Sequence, residues 1–304
     1  MTEQQLIEFL WRYGHFWNPA YKDGAAVRKD DLPKLSLTDD VVKQAVASYQ
    51  AADANLSTLT MLHHGRAAVV DGDAGPATFA LASIRRCGCP DYPLPRGWAL
   101  EAGAGSWPAN GCDPDQEGVH SIRIGIDTSR AHTAVKAYLQ EALEASSACY
   151  AEMGLAVRYI LDGDGKVEIA KRFEPLAGSV IGWNEFPRAG VCNQTIQGRL
   201  DTTFTPDMRL WANLEVHETG HGVGLEHTRG GIMNPSILLV WPLSWKGTPS
   251  EATMRRYFGG QPLPGPTPQP EPPSPDGKVY VTITVSPTWP PKAEIVTVTR
   301  NPIV

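Results

Sequence analysis

No stretch of about 18 consecutive apolar residues occurs in the chain, so the sequence offers no membrane-spanning helix. A basic excess is missing too. Lys and Arg number 27 against 33 Asp and Glu, a formal net charge of −6, whereas a protein that displaces counterions from phosphate needs the opposite balance. No nucleic-acid partner is expected. The opening residues, Met1 to Tyr13, alternate charged and apolar side chains at helical spacing, with neither a basic leader nor an apolar core, and do not read as a signal peptide. Cysteine is scarce, at five, and the odd number leaves at least one thiol outside any intrachain pairing. Histidine is scarce as well, at eight, with none between residues 162 and 200.

With 42% hydrophobic residues and nine Trp, the 304 residues suffice for about two domains with real cores. Proline is plentiful, and eight of the 26 fall between Pro262 and Pro275, where they favour a semi-rigid polyproline linker, residues 260–277. Beyond it, Val279 to Val285 and Glu294 to Thr299 are β-branched runs that predict a hairpin-like tail over 278–304. At the front, Leu6, Phe9, Leu10 and Tyr13 recur at helical spacing, as do Val41, Val42, Ala45, Val46 and Tyr49. A turn at Asp71-Gly-Asp-Ala-Gly75-Pro76 leads into a third helix, Ala77 to Arg85, so residues 1–85 predict a three-helix module.

Residues 119–259 read as α/β. Strands are expected at Val119 to Ile126, Leu155 to Leu161, Lys166 to Phe173, Val180 to Trp183 and Thr195 to Phe204. One helix is expected from a cap at Thr128 or Ser129 to about Met153, and another from Thr205-Pro206-Asp207, with Thr205 as its cap. Asp162 and Asp164 offer carboxylates to Ca²⁺, but Asp-Gly is a turn signal and a tight hairpin turn is the preferred reading.

The most informative stretch is His217-Glu-Thr-Gly-His221-Gly-Val-Gly224-Leu-Glu-His227. On a helix, His217 and His221 stack on one face and reach one metal; Gly224 can take positive φ, ending the helix and returning the chain so that His227 supplies a third nitrogen. Three neutral imidazoles leave one position of a tetrahedral Zn²⁺ open to water, which is how catalytic sites differ from structural ones. Glu218, beside the ligands, is the candidate general base.

HExxHxxGxxH followed by a Met-containing turn is the metzincin signature. The chain resembles that family here, with Gly230-Gly-Ile-Met233-Asn-Pro235 six residues past the third histidine. It is more specifically similar to matrixins, the matrix-metalloproteinase branch. Arg86-Cys87-Gly88-Cys89-Pro90-Asp91 resembles that branch's cysteine switch, and the turn around Asp71 to Thr78 resembles a peptidoglycan-binding-like prodomain. The resemblance spans roughly residues 4–259. It implies a mixed α/β (α+β) catalytic domain with a twisted mixed sheet and an active-site helix, behind a small helical prodomain, a switch segment at 86–91 and an activation linker at 92–118.

The function so implied is a latent zinc endopeptidase acting on protein or peptide. His217, His221 and His227 hold the zinc, Cys87 blocks its fourth position, Glu218 is the base, and Arg86 and Asp91 pair across the switch. Met233 forms an apolar floor, with Gly224 and Pro235 shaping the surroundings. Substrate is expected along the edge strand Val180 to Trp183, and Ile237, Leu238, Leu239 and Val240 suggest an apolar pocket, or plain core. A disulfide or free thiol is the alternative for Cys87, because Cys89 is so near; the pairing of Cys89, Cys112, Cys149 and Cys192 is open.

Departures from the family pattern are Arg85 in place of Pro, Cys89 in place of an apolar residue, and Ser250 in place of an Asp. The absence of His over 162–200 argues against a second, structural zinc. Thr248-Pro-Ser-Glu251 predicts a capping box for the last helix. The alternatives are a hydrolase directed at cell wall, whose first 85 residues bind peptidoglycan, and a binding protein with a vestigial zinc site. Latency implies action outside the producing cell, reached with a leader that this sequence does not include, by unconventional export, by lysis or in a virus particle.

Overall fold

A computed structural model describes residues 1–18, 27–65, 69–92, 119–163, 165–187, 195–259, 283–285 and 293–295. The expectations for Cys112, Cys192, Asp164 and the linkers at 92–118 and 260–277 fall wholly or mostly outside these residues. The chain divides into two compact units, Met1–Gly265 and Pro266–Val304.

The first unit begins with helices. A capping box between Thr2 and Gln5 starts α1 (Glu3–Arg12), which buries Leu6, Ile7, Phe9 and Leu10. Facing it, α2 (Asp40–Ala52) buries Val42, Ala45, Val46 and Tyr49, the positions read from periodicity. Next comes α3 (Asn55–His64), a helix not expected from the sequence because only Leu56 and Thr60 are buried and the apolar period is weak. Among the described residues the module therefore has four α-helices, not three. The last, α4 (Pro76–Ser83), starts with Pro76 in its first turn and stops short of Arg85, because Arg86 enters a strand. Gln50 fixes the preceding turn: its carbonyl accepts from the Asp71 and Gly72 amides, and its amide donates to Asp71 and to the Asp73 carbonyl.

A six-stranded mixed sheet follows. Its strands are β1 (Arg86–Cys87), β2 (His120–Asp127), β3 (Leu155–Leu161), β4 (Ile169–Glu174), β5 (Val180–Asn184) and β6 (Ile196–Asp201), in the order β1-β5-β6-β4-β2-β3. β3, β2, β4 and β6 run parallel; β5 is antiparallel to β6, and β1 is parallel to β5. The fold is thus mixed α/β. β3 and β4 do not pair as the expected hairpin, since β2 lies between them. β4 starts opposite Ile124, only two residues behind the partner of Leu161, so a short connection suffices. The Asp162 carboxylate instead accepts from the Thr128 amide at 2.7 Å and its hydroxyl at 2.6 Å, tying the ends of β2 and β3 together.

Helices α5 (Thr133–Lys136), α6 (Leu139–Ala151) and α7 (Met208–Gly222) contribute to one core with the sheet; Leu143, Tyr150, Trp211, Leu214 and Val216 belong to the same cluster as Ile122, Ile124 and Ile169. Two expected caps are replaced. His132 accepts from the Ala134 amide at the start of α5, and Asp207, not Thr205, accepts from the Leu210 amide at the start of α7. The capping box expected at α8 (Glu251–Phe258) does not form either. Thr248 donates to the Trp245 carbonyl, and the Glu251 carboxylate takes the Gly247 amide. Among the described residues no helix is long and apolar enough to cross a membrane. In the second unit, β7 (Ile283–Val285) and β8 (Ala293–Ile295) pair antiparallel, as the tail's β-branched runs predict.

Candidate metal centre

Helix α7 is buried from Trp211 to Gly222. Two glycines near its end permit close packing: a Cβ on Gly220 would lie 2.6 Å from Met233 Sδ, and one on Gly222 would lie 2.5 Å from Ile169 Cδ1. The helix ends in a Schellman turn. Gly224 has φ +98°, its amide donates to the His221 carbonyl, and the Leu225 amide donates to the Gly220 carbonyl. This reversal brings His227 back over the helix. Met233 is fully buried against Gly220, which lies between His217 and His221 in the sequence.

The three Nε2 atoms converge. His221 lies 3.2 Å from both His217 and His227, and His227 lies 3.3 Å from His217. His217 Nδ1 is 2.7 Å from the Ile232 carbonyl and His221 Nδ1 is 2.8 Å from the Leu225 carbonyl; a carbonyl only accepts, so each Nδ1 carries the proton. His227 Nδ1 faces the Asp91 carboxylate at 2.8 Å, another acceptor. Three Nε2 lone pairs therefore point at one another, an arrangement that calls for a cation between them. Burial first, and then the neighbouring rings, depress the histidine pKa values, to about 3 for His217 and well below the usual value for His221, so these rings stay neutral and able to ligate.

Cys87 completes the cluster. Its Sγ lies 3.4 Å from His221 Nε2 and 3.6 Å from Glu218 Oε2, and Cys87, His217, His221 and His227 offer four ligand atoms all within 4.8 Å of one another. The site can hold a metal ion. Burial holds the Cys87 thiol well above its usual pKa in the absence of a cation, while a bound cation favours the thiolate. Burial likewise pushes Glu218 up to about 8, and its Oε1 has no hydrogen-bond partner. Room for that carboxylate depends on Gly182 of β5, where a Cβ would lie 2.5 Å from Oε1.

Strand β1 fills a cleft. The Arg86 amide donates to the Ser179 carbonyl and the Gly88 amide to that of Gly182 on the β5 side, while the Cys87 amide donates to the Pro235 carbonyl opposite. The expected Arg86–Asp91 ion pair forms, at 0% and 1% side-chain exposure. The Arg86 guanidinium also sits over the Tyr13 ring at 3.8 Å, inside the helical module. Asp91 faces three partners: Arg86, His227, and His15 Nε2 at 2.9 Å. Burial opposes its ionisation, but Arg86 and the flanking rings win and hold its carboxyl well below the usual range.

Cys87, His217, Glu218, His221 and His227 therefore come together, with Arg86 and Asp91 paired beside them. Ile237 and Val240 pack partly buried against the core, whereas Leu239 is 52% exposed, so the run bordering the cleft is not plain core. Sequence reasoning missed a second contact between the helical module and the turn after Met233. Buried Asp53, after α2, accepts from Asn234 Nδ2 at 2.9 Å and from the Ser236 hydroxyl, and the Ala54 amide donates to Asn234 Oδ1. Also missed was a buried ion pair beside the site: Lys171 of β4 donates to Glu215 at 2.6 Å and to Thr219 Oγ1 at 2.7 Å. Partners about 180 and 44 residues apart leave no local signal. Among the described residues, Cys87, Cys89 and Cys149 are buried free thiols. In comparison with known proteins, no family model matches the chain, and no curated protein matches it.

Proposed function

We propose that the chain is a latent zinc endopeptidase of the metzincin type, in the matrixin branch, held inactive by its own residues 86–91. One observation carries this reading: four ligand atoms converge beside a buried glutamate whose Oε1 has no hydrogen-bond partner, and one of them arrives on a strand that fills a cleft. Zinc with nitrogen at about 2.05 Å and sulfur at about 2.3 Å gives tetrahedral edges of about 3.3 Å between nitrogens and about 3.5 Å between nitrogen and sulfur. The separations here are 3.2 to 3.3 Å and 3.4 Å, so the donor set fits. When bound, zinc supplies Lewis acidity, lowering the pKa of a coordinated water and polarising a carbonyl.

The chain's own residues do the rest. Once Cys87 withdraws, Glu218 faces the freed position, takes a proton from water and returns it to the leaving amine. Glu218, whose pKa burial raises, would be held as the carboxylate this role needs when a cation is bound beside it. The backbone of β5, with the Ser179 and Gly182 carbonyls now bonded to β1, offers the same edge to an extended substrate, and the Pro235 carbonyl lines the other side. The helical module acts as a prodomain, supported by the way Tyr13 and Asp91 enclose Arg86 and Asp53 engages the Met233 turn.

The test is Glu218→Ala, assayed on casein after activation, with metal content measured on the same sample. Hydrolysis falls about 10²- to 10⁴-fold while zinc is retained. Undiminished hydrolysis in the variant sinks the mechanism.

A further inference from the structure

Cys87 and Cys89 are free thiols at 0% and 1% exposure, separated by one glycine. Cys89 also belongs to a second cluster, with Cys87, Glu218 and His221, whose ligand atoms all lie within 4.8 Å of one another. The Cys89 amide donates to Cys87 Sγ at 3.3 Å, and the Cys89 thiol donates to the Asn184 carbonyl at 3.2 Å. Gly88 between them is pressed on β5: its amide bonds the Gly182 carbonyl at 2.7 Å, and a Cβ there would lie 2.9 Å from Val180 Cγ1. A second thiol is thus held beside the one that caps the metal cluster, and peptide hydrolysis gives it no task.

We infer that Cys87 and Cys89 form a redox site, which a hydroperoxide oxidises to an intrachain disulfide, withdrawing Cys87 from the metal-ligand set. The effect on hydrolysis rests on the peptidase reading; formation of the disulfide does not. Hydrogen peroxide is the smallest such oxidant and the best suited to buried thiols. The Cys87 thiolate attacks one peroxide oxygen, the O–O bond breaks, and the hydroxide that leaves takes a proton to become water. Cys87 is then a sulfenic acid. The Cys89 thiolate attacks Cys87 Sγ, the S–O bond breaks, and the second hydroxide takes a proton and leaves as water. Two thiols and one peroxide give one disulfide and two waters; the thiols lose two electrons and the peroxide gains them.

Cys89 decides the product. Without a resolving thiol a sulfenic acid proceeds to sulfinic acid, which thiols do not reverse, whereas the disulfide is reducible. A disulfide sulfur also carries no thiolate charge for the metal. A ring closed over a single residue departs from relaxed disulfide geometry, which makes the bond easier to reduce and the change reversible.

The experiment uses the full chain loaded with Co²⁺ and treated with hydrogen peroxide, followed by unreduced digestion and mass spectrometry. In wild type, the peptide carrying residues 87–89 loses two hydrogens, the sulfur-to-cobalt charge-transfer absorption disappears, and dithiothreitol restores both. In Cys89→Ser the same peptide gains oxygen, and dithiothreitol does not restore it. Identical Cys87 oxidation products in the two proteins, or an oxidised wild type that keeps the absorption, would overturn the proposal. If the disulfide forms and reverses but casein stays uncut, the redox site stands and the peptidase reading fails.

Discussion

Asp91 Oδ1 lies 2.8 Å from Nδ1 of His227, so the segment that fills the cleft also touches the outer nitrogen of a candidate metal ligand. The same carboxylate neutralises Arg86, whose guanidinium is buried among Phe9, Tyr13 and Tyr49. The proposed latency and the packing of the helical module therefore share one residue.

Asp91→Asn leaves the Arg86 charge buried without its counter-ion, a loss of about 3–5 kcal/mol for a pair of this burial. Urea unfolding of the full chain is expected to show that loss, together with hydrolysis that no longer waits for activation. A variant as stable and as silent as wild type contradicts the role given to Asp91.

Acid should loosen the module through His15. Burial first pulls this ring below the usual histidine pKa, against the pull of Asp91. The unfolded chain takes up a proton below about pH 6.5 that the folded ring refuses, so stability falls as pH drops through that value towards the folded pKa. The depressed Asp91 pKa acts lower: its contribution is complete above the unfolded value of about 3.9 and is lost as pH falls through the folded one. Thermal melts of zinc-saturated protein between pH 7.5 and 5 are expected to show a smaller drop in Tm for His15→Gln than for wild type. Equal drops would assign the effect elsewhere.

Lys171 and Glu215 form an ion pair at 0% exposure on both sides. Lys171→Met leaves Glu215 charged and unpaired, at a cost of about 3–5 kcal/mol. Adding Glu215→Leu should recover most of that stability, because an apolar pair avoids the desolvation of both charges. Denaturant midpoints of the single and double variants measure it; a double variant no better than the single shows that the pair is not the source.

What the sequence disclosed follows from the range of each interaction. The three histidines, Glu218 and Gly224 lie within eleven residues on a helix and its Schellman turn, where local geometry alone makes them converge. Periodicity likewise marked Leu6 to Tyr13 and Val41 to Tyr49. α3 escaped because its buried face is narrow, and the Asp162 turn was misread because only the pairing of β2 between β3 and β4 shows that no hairpin closes there. Asp53 with Asn234, and Lys171 with Glu215, depend on tertiary contacts that no spacing encodes.

Metal removal gives a further check. Chelation leaves three buried Nε2 lone pairs facing one another, so Tm is expected to fall and to recover when zinc is returned. Zinc-edge X-ray absorption of the intact chain should show one sulfur at about 2.3 Å among nitrogen ligands, replaced by oxygen in Cys87→Ser. No sulfur in wild type contradicts Cys87 as a ligand.

The most direct measurement is the rate of hydrolysis of a quenched fluorescent peptide by freshly purified, zinc-loaded wild type and Cys87→Ser, with no activating protease added. The account predicts silence from wild type and immediate turnover from Cys87→Ser, abolished by adding Glu218→Ala. Equal silence from wild type and Cys87→Ser, both carrying zinc, would contradict it.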